Sequence, residues 1–214
     1  MPAPSLGDGV YTIPEAARVL RLVHQTATPS VRQVRSWLSD GLTFGTRATD
    51  VGVDVVSFLD LVSLETVSRL ADYFSVQRIK RLEAEIRHDF PDLEKPFASQ
   101  TFYIAGETVW LKWAGVEVEV GGRHRGQVPL SAILRSFATE IRFNHHGVAE
   151  AWTPNEFMEL DPHIQFGQPV LRGTRIAVST VAANLGVGTP KEVAHWYGIP
   201  VETVEGLARY LSLC

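Results

Sequence analysis

From Thr12 to Phe90 the apolar positions recur at helical spacing, and each run opens on a capping signal. Thr12 followed by Glu15 is a capping-box pair with Pro14 in the first turn, so a helix starts there and buries Ile13, Ala16, Ala17 and Leu20 on one stripe. Ser30 caps a second run in which Val31, Val34 and Leu38 face inward and Gly41 ends the helix. The segment from Gly41 to Asp54 reads as a small two-stranded wing with Arg47 near its tip. Ser57 and Asp60 repeat the capping box ahead of Leu61, Leu64, Val67, Leu70 and Phe74. Ser75 caps the next helix, in which Ile79, Leu82, Ile86 and Phe90 are spaced for burial and the opposite face mixes basic and acidic residues.

After Pro91 and Pro96 the period shifts towards two. Thr101 to Ile104, Thr108 to Trp113 and Val116 to Val120 read as strands separated by Ala-Gly turns. Leu130, Ile133, Leu134 and Phe137 mark a short helix, and Ile141 to Phe143 with Val148 to Trp152 a last strand pair. In DPHIQFGQPVLRGTRIAV, residues 161–178, Ile164 and Phe166 alternate, Gly167-Gln168 turns, Val170-Leu171 returns, and Thr174 leads towards a helix. Three helical runs follow. Val178, Val181, Ala182 and Leu185 end at Gly186; Thr189, Pro190 and Glu192 cap Val193, Ala194 and Tyr197; Pro200 opens Val201, Val204, Leu207, Ala208 and Leu211. The predicted class is α+β in three units: a helix-turn-helix unit over 1–96, a small α+β middle domain over 97–157, and a three-helix, helix-turn-helix-like domain over 158–214 preceded by a β-hairpin.

Composition narrows the class. A chain of 214 residues that is 45% hydrophobic and 21% charged is that of a soluble globular protein, and Arg, Asp or Glu interrupts every apolar run before it reaches a membrane span. The opening MPAPSLGDG has neither the basic nor the apolar region of a signal peptide, and reads as a short flexible lead. The lone cysteine, Cys214, excludes an internal disulfide framework and a cysteine zinc cluster, so a reducing cytoplasm is expected. With a net charge of −4, any nucleic-acid binding must come from a local patch. Such a patch exists: Arg18, Arg21, Arg32 and Arg35 fall between Ala16 and Ser39 with no acid among them. Arg and Gln near the N-terminal end of a helix suit base edges, with flanking arginines on phosphates. The expected DNA contacts are Arg18, Arg21, Arg32, Gln33, Arg35, Ser36 and Arg47. Glu202 and Glu205 face Arg209 in the last helix, which suits packing or dimerisation better than DNA.

Other chemistry is sparse. Glu117 and Glu119 share a strand face without a third catalytic partner, and His124, His145, His146 and His163 do not form a ligand spacing, so neither a metal, a cofactor nor a catalytic residue is expected. No phosphate loop, serine nucleophile elbow or zinc-protease helix is present, and the chain reads as no enzyme. A metal-dependent enzyme built on those histidines and glutamates is the weakest rival. Phe102, Trp110, Trp113 and Trp152 belong to a core or line a small-molecule pocket, the second option being that of a ligand-responsive regulator with no toxin partner.

Two resemblances sharpen this. Tyr11, Ala16, Ala17, Val34, Arg35 and Trp37 resemble the N-terminal winged helix-turn-helix of MerR-like regulators, although the link from Arg21 to Pro29 exceeds the usual turn. Asp161, Pro162, Gly167, Pro169, Gly173, Thr174, Arg175, Ile176, Gly188, Thr189 and Tyr197 resemble the pattern of a bacterial and archaeal family long known as a domain of unknown function, which includes VapB-type antitoxins. The whole is similar to the longer mycobacterial-type VapB antitoxins. That resemblance implies a type II toxin–antitoxin role: binding operator DNA at one end and a PIN-like ribonuclease toxin, encoded nearby, at the other. A homodimer or higher homo-oligomer is expected because helix-turn-helix proteins read paired half-sites, and the interrupted apolar runs give no membrane partner. Arg172 and Arg175, which have no acidic neighbour within five residues, are the expected toxin contacts.

Overall fold

Side-chain caps mark the start of several helices in the computed structural model, which describes residues 9–25, 27–39, 41–42, 47–48, 53–93, 95–103 and 137–212. Strand β1 (Val10–Thr12) runs directly into α1 (Ile13–His24), because Thr12 Oγ1 accepts from the Glu15 amide while the Glu15 carboxylate accepts from Thr12 N. Ser30 and Gln33 exchange the same pair of bonds at the head of α2 (Val31–Ser39), and Gly41, at φ 76°, ends it. Strand β2 (Arg47–Ala48) pairs antiparallel with β3 (Val53–Ser57), and β3 pairs on its other side with β1. The ribbon expected over 41–54 is thus two strands of a three-stranded sheet ordered β1-β3-β2. Ser57 and Asp60 box the head of α3 (Phe58–Ala71), and α4 (Val76–Asp89) follows Ser75, which makes no side-chain cap.

Helix α3 is enclosed on all sides. Every residue from Leu61 to Val67 is buried, where the sequence stripe predicts burial on one face only. Its polar side chains therefore find partners inside the protein. Asp60 pairs with Lys95, and Thr66 Oγ1 reaches the carbonyls of Val62 and Phe97 and the Tyr103 hydroxyl. Glu65 lies 2.7 Å from His24 Nε2 and 2.6 Å from Arg69 Nε. Arg69 continues to Glu140 at 2.9 Å, over the Phe137 ring at 4.3 Å, and Glu140 accepts from Trp152 Nε1 at 3.3 Å.

The apolar core crosses residue 96 without a break: Phe97, Phe102, Tyr103, Phe137, Ile141, Trp152 and Leu160 join one cluster with the buried faces of α1, α3 and α4. Residues 100–103 are helical, not the strand expected from Thr101 to Ile104. A strand would send Phe102 and Tyr103 to opposite faces, whereas both are buried here and stack edge-to-face at 5.1 Å. Strands β4 (Ile141–Phe143) and β5 (Ala149–Trp152) pair antiparallel around the turn of Asn144 to Gly147, as the sequence predicts. The expected strands Thr108 to Trp113 and Val116 to Val120, and the start of the helix ending at Phe137, lie outside the described residues.

The chain closes with β6 (Met158–Glu159), β7 (Val170–Leu171), α5 (Val178–Leu185), α6 (Pro190–Tyr197) and α7 (Val201–Ser212). These elements surround a second apolar cluster that includes Met158, Leu171, Val181, Val193, Val204 and Leu207, and Leu22 and Val23 of α1 pack against it. Gly206 lets α7 lie on Phe157, since a Cβ there would stand 2.3 Å from the ring. The expected pairing of Ile164 and Phe166 with Val170-Leu171 does not form. Gln165–Gly167 is a 3₁₀ turn, and β7 pairs with β6 instead. Thr174 closes a turn with Leu171, and α5 starts only at Val178. The class is mixed α+β with small antiparallel sheets.

Burial is the largest single influence on both members of the His24–Glu65 pair, raising the carboxyl and lowering the imidazole. Their mutual hydrogen bond and charge outweigh it, so Glu65 is held below its ordinary value and His24, despite repulsion from Arg69, above its own. A raised imidazole stabilises the fold fully below its unfolded value of about 6.5 and loses that contribution as pH rises through the folded value. Urea unfolding across pH is therefore expected to show stability falling from pH 6.5 upward, and His24→Asn to flatten that fall. Glu65→Ala, which removes the partner of His24 and leaves Arg69 with Glu140 alone, is expected to lower unfolding free energy by about 3 kcal/mol.

Candidate functional site

Two groups of exposed arginines stand out on this frame. The first lies on the packed pair α1 and α2, where buried Ala16, Ala17, Leu20, Val34 and Trp37 fix which sides face outward. Arg18 on α1 and Arg32, Gln33, Arg35 and Ser36 on α2 are all exposed. Arg21 differs from the rest of the expected set. It is half-buried, and its Nη1 donates to the carbonyl of buried Pro29 at 3.2 Å, fastening the long α1–α2 link to α1. Gln33 also has a structural task, because its Oε1 accepts from Ser30 N at 2.8 Å. Arg47 lies on the edge strand β2, opposite Asp54 in the register.

The second group is the tip of a tight hairpin that the sequence places one turn too early. Leu171 N donates to Ile176 O at 2.8 Å, Val170 bridges to Ala177, and Thr174 N donates to Leu171 O. Gly173 supplies the φ of 73° that the turn needs, and the Thr174 hydroxyl donates to Leu171 O while accepting from Ile176 N. Arg172 and Arg175 flank that glycine, and both are exposed. Among the described residues only their backbones are tied back, Arg172 N to Phe157 O at 2.9 Å and Arg175 O to Gln165 Nε2 at 3.2 Å.

Sequence reasoning missed what joins these regions. The Tyr11 hydroxyl donates to Gly167 O at 2.6 Å, at the N-terminal end of α1. Burial, with Glu15 nearby, pushes the Tyr11 phenol well up, so it stays protonated as a donor. At the other end, the Tyr210 hydroxyl lies 2.9 and 3.0 Å from the carbonyl oxygens of Leu22 and Val23, and Gln25 Nε2 donates back to Tyr210 O. The C-terminal unit thus holds α1 at both ends, satisfying carbonyls that a helix C-terminus leaves unpaired. The tyrosines are visible in the sequence, but their partners are backbone carbonyls far along the chain, which leave no sequence signal.

The remaining candidates fall elsewhere. His145 and His146 are exposed on the β4–β5 turn with ring centroids 3.8 Å apart, and His163 bonds Asp161, which Arg142 also contacts at 3.0 Å. Among the described residues no three His, Cys, Asp or Glu side chains converge on a metal position. Phe102 and Trp152 are buried, Trp152 edge-to-face with Phe137 at 6.1 Å. Trp110, Trp113, His124, Glu117 and Glu119 lie outside the described residues. No described helix is long and apolar enough to cross a membrane.

Residues 158–210, which carry the arginine hairpin and α5 to α7, match the family described as "Protein of unknown function (DUF433)". The crystal structure of Rv2018 from Mycobacterium tuberculosis has the same fold, with a TM-score of 0.72 over 92% of this chain and 96% of that one, at 20% identity. No curated protein matches the chain.

The two glycines of the motif have different tasks, which stability measurements separate. A Cβ at Gly167, φ 83°, would stand 2.2 Å from the Tyr11 hydroxyl, whereas nothing lies within 4 Å of one at Gly173. Gly173→Ala is expected to cost only the left-handed backbone penalty of about 1–2 kcal/mol, and Gly167→Ala at least about 3 kcal/mol, read as shifts in urea midpoint.

Proposed function

We propose that the chain is the antitoxin of a type II toxin–antitoxin pair, which binds operator DNA to repress its own operon and inhibits a PIN-like ribonuclease encoded nearby. The observation that carries this reading is the pair of exposed arginine groups on separate units, Arg18, Arg32 and Arg35 at one end and Arg172 and Arg175 at the other. In a protein of net charge −4, two local groups of exposed arginines suit two anionic partners. In this reading β1, α1, α2 and the β2–β3 ribbon form a MerR-like winged helix-turn-helix within residues 1–96, with α2 presented to a groove and Arg47 to the backbone. Residues 158–214 form the toxin-binding domain, while the described residues of 97–157 share the core of α1, α3 and α4. Paired half-sites call for a homodimer.

The DNA surface is smaller than the sequence set. Arg21 is assigned to positioning, because its guanidinium holds Pro29 and through it the start of α2. The second arginine group suits a different anion. A PIN-like ribonuclease gathers carboxylates around a divalent metal, and a guanidinium brought there pairs with them and displaces the ion. A hairpin tip whose backbone is tied and whose two arginine side chains are exposed is shaped for such insertion.

Gel-shift titration on the chain's own upstream DNA is expected to show Arg32→Ala and Arg35→Ala each weakening the complex roughly tenfold. Co-expression with the neighbouring gene is expected to give a co-purifying complex, and Arg172→Ala/Arg175→Ala to release the ribonuclease activity. Inhibition that survives the double substitution would remove the hairpin tip from the interface.

A further inference from the structure

Three consecutive residues, Gln165, Phe166 and Gly167, have φ of 49°, 57° and 83°, so two side-chain-bearing residues sit in the left-handed region ahead of the glycine. Packing does not explain this conformation, because Phe166 is 66% exposed. Contacts on both flanks do hold the turn. On one side Gln165 Nε2 grips Arg175 O at the hairpin tip. On the other, Gly167 O takes the Tyr11 hydroxyl, and the Phe166 carbonyl lies against Gly9, where a Cβ would approach it to 3.4 Å. The turn therefore stands between the Arg172–Arg175 tip and the residues that lead into α1, with two side-chain-bearing residues held in the strained left-handed region.

We propose that this left-handed turn is a mechanical coupler: engagement of the arginine tip by an anionic partner is transmitted through Gln165, Gly167 and Tyr11 to α1, and so to the orientation of Arg18 and the arginine face. The tip and face take their roles from the function proposed above, but the coupling is a property of the free chain. Contiguity supports it. Hydrogen bonds join the tip to the turn and the turn to Tyr11, and Tyr11 leads through the backbone of Thr12, the N-cap, into α1. Tyr210 holds the far end of α1 against α7, so a shift at Tyr11 acts on a helix whose other end is anchored.

Hydrogen–deuterium exchange on the full chain, without DNA or toxin, tests this. Gly173→Ala perturbs only the tip backbone, since no atom lies within 4 Å of the added Cβ. Amides of residues 13–24 are expected to exchange roughly fivefold faster in this variant, with α5 to α7 still protected. In a Tyr11→Phe background the same substitution is expected to leave those amides unchanged, because the relay is already cut. Gln165→Ala, an exposed residue, is the milder variant should Gly173→Ala unfold, and is expected to give the same pattern. Acceleration confined to residues 165–178, or equal acceleration of α1 with and without Tyr11, overturns the proposal. Coupled exchange in a chain that forms no complex with its upstream DNA would keep the coupler and reject the DNA reading, so the two failures are distinguishable.

Discussion

A carboxylate buried in the middle of an enclosed helix must be paired, and Glu65 organises the larger part of this protein around that demand. His24 arrives from the end of α1, Arg69 from one turn further along α3, and Arg69 brings Glu140 with Trp152. One ionic chain thus ties the first helix, the central helix and the β4–β5 region. Burial disfavours each charge taken singly, so the network holds only when every member is present. This makes the location of α1 a consequence of the core rather than of local capping alone.

His24 holds the C-terminal end of α1 against α3, and the C-terminal unit docks on the same helix. It takes hold of both ends, through Gly167 and Tyr210, and packs Leu22 and Val23 into its own apolar cluster. The expected string of three units therefore folds back on itself, with the last unit docked on the first. The glycines of the 161–178 stretch acquire separate reasons: Gly173 makes the tip and Gly167, in the connection from β6 to β7, admits the Tyr11 hydroxyl. Arg172 and Arg175 keep a different status, since their side chains are exposed.

Local signals were legible in the sequence and distant ones were not. The boxes at Thr12, Ser57 and Thr189 form as read, because capping involves residues three apart and little else. The β4–β5 pair forms for a similar reason, its turn being set by Asn144 and Gly147. The pairing of Ile164 and Phe166 failed because alternation describes which residues are apolar and not which backbone is extended; Phe166, left-handed and exposed, follows neither half of the pattern. Thr101 to Ile104 failed because aromatic residues favour strands only until tertiary packing needs two neighbours on one side. At the candidate DNA face, the sequence identified the arginines, but exposure separates Arg18, Arg32 and Arg35 from Arg21, whose bond to Pro29 no spacing rule contains.

The central claim is that the face of α1 and α2 meets a polyanion, and salt reads this most directly. Affinity of the full chain for a duplex of its own upstream region, followed against salt concentration, is predicted to give a log–log slope of about −3 or steeper. Arg32→Ala/Arg35→Ala is predicted to flatten that slope by about 2. A complex whose affinity ignores salt, or the absence of any complex at low salt, would contradict the account.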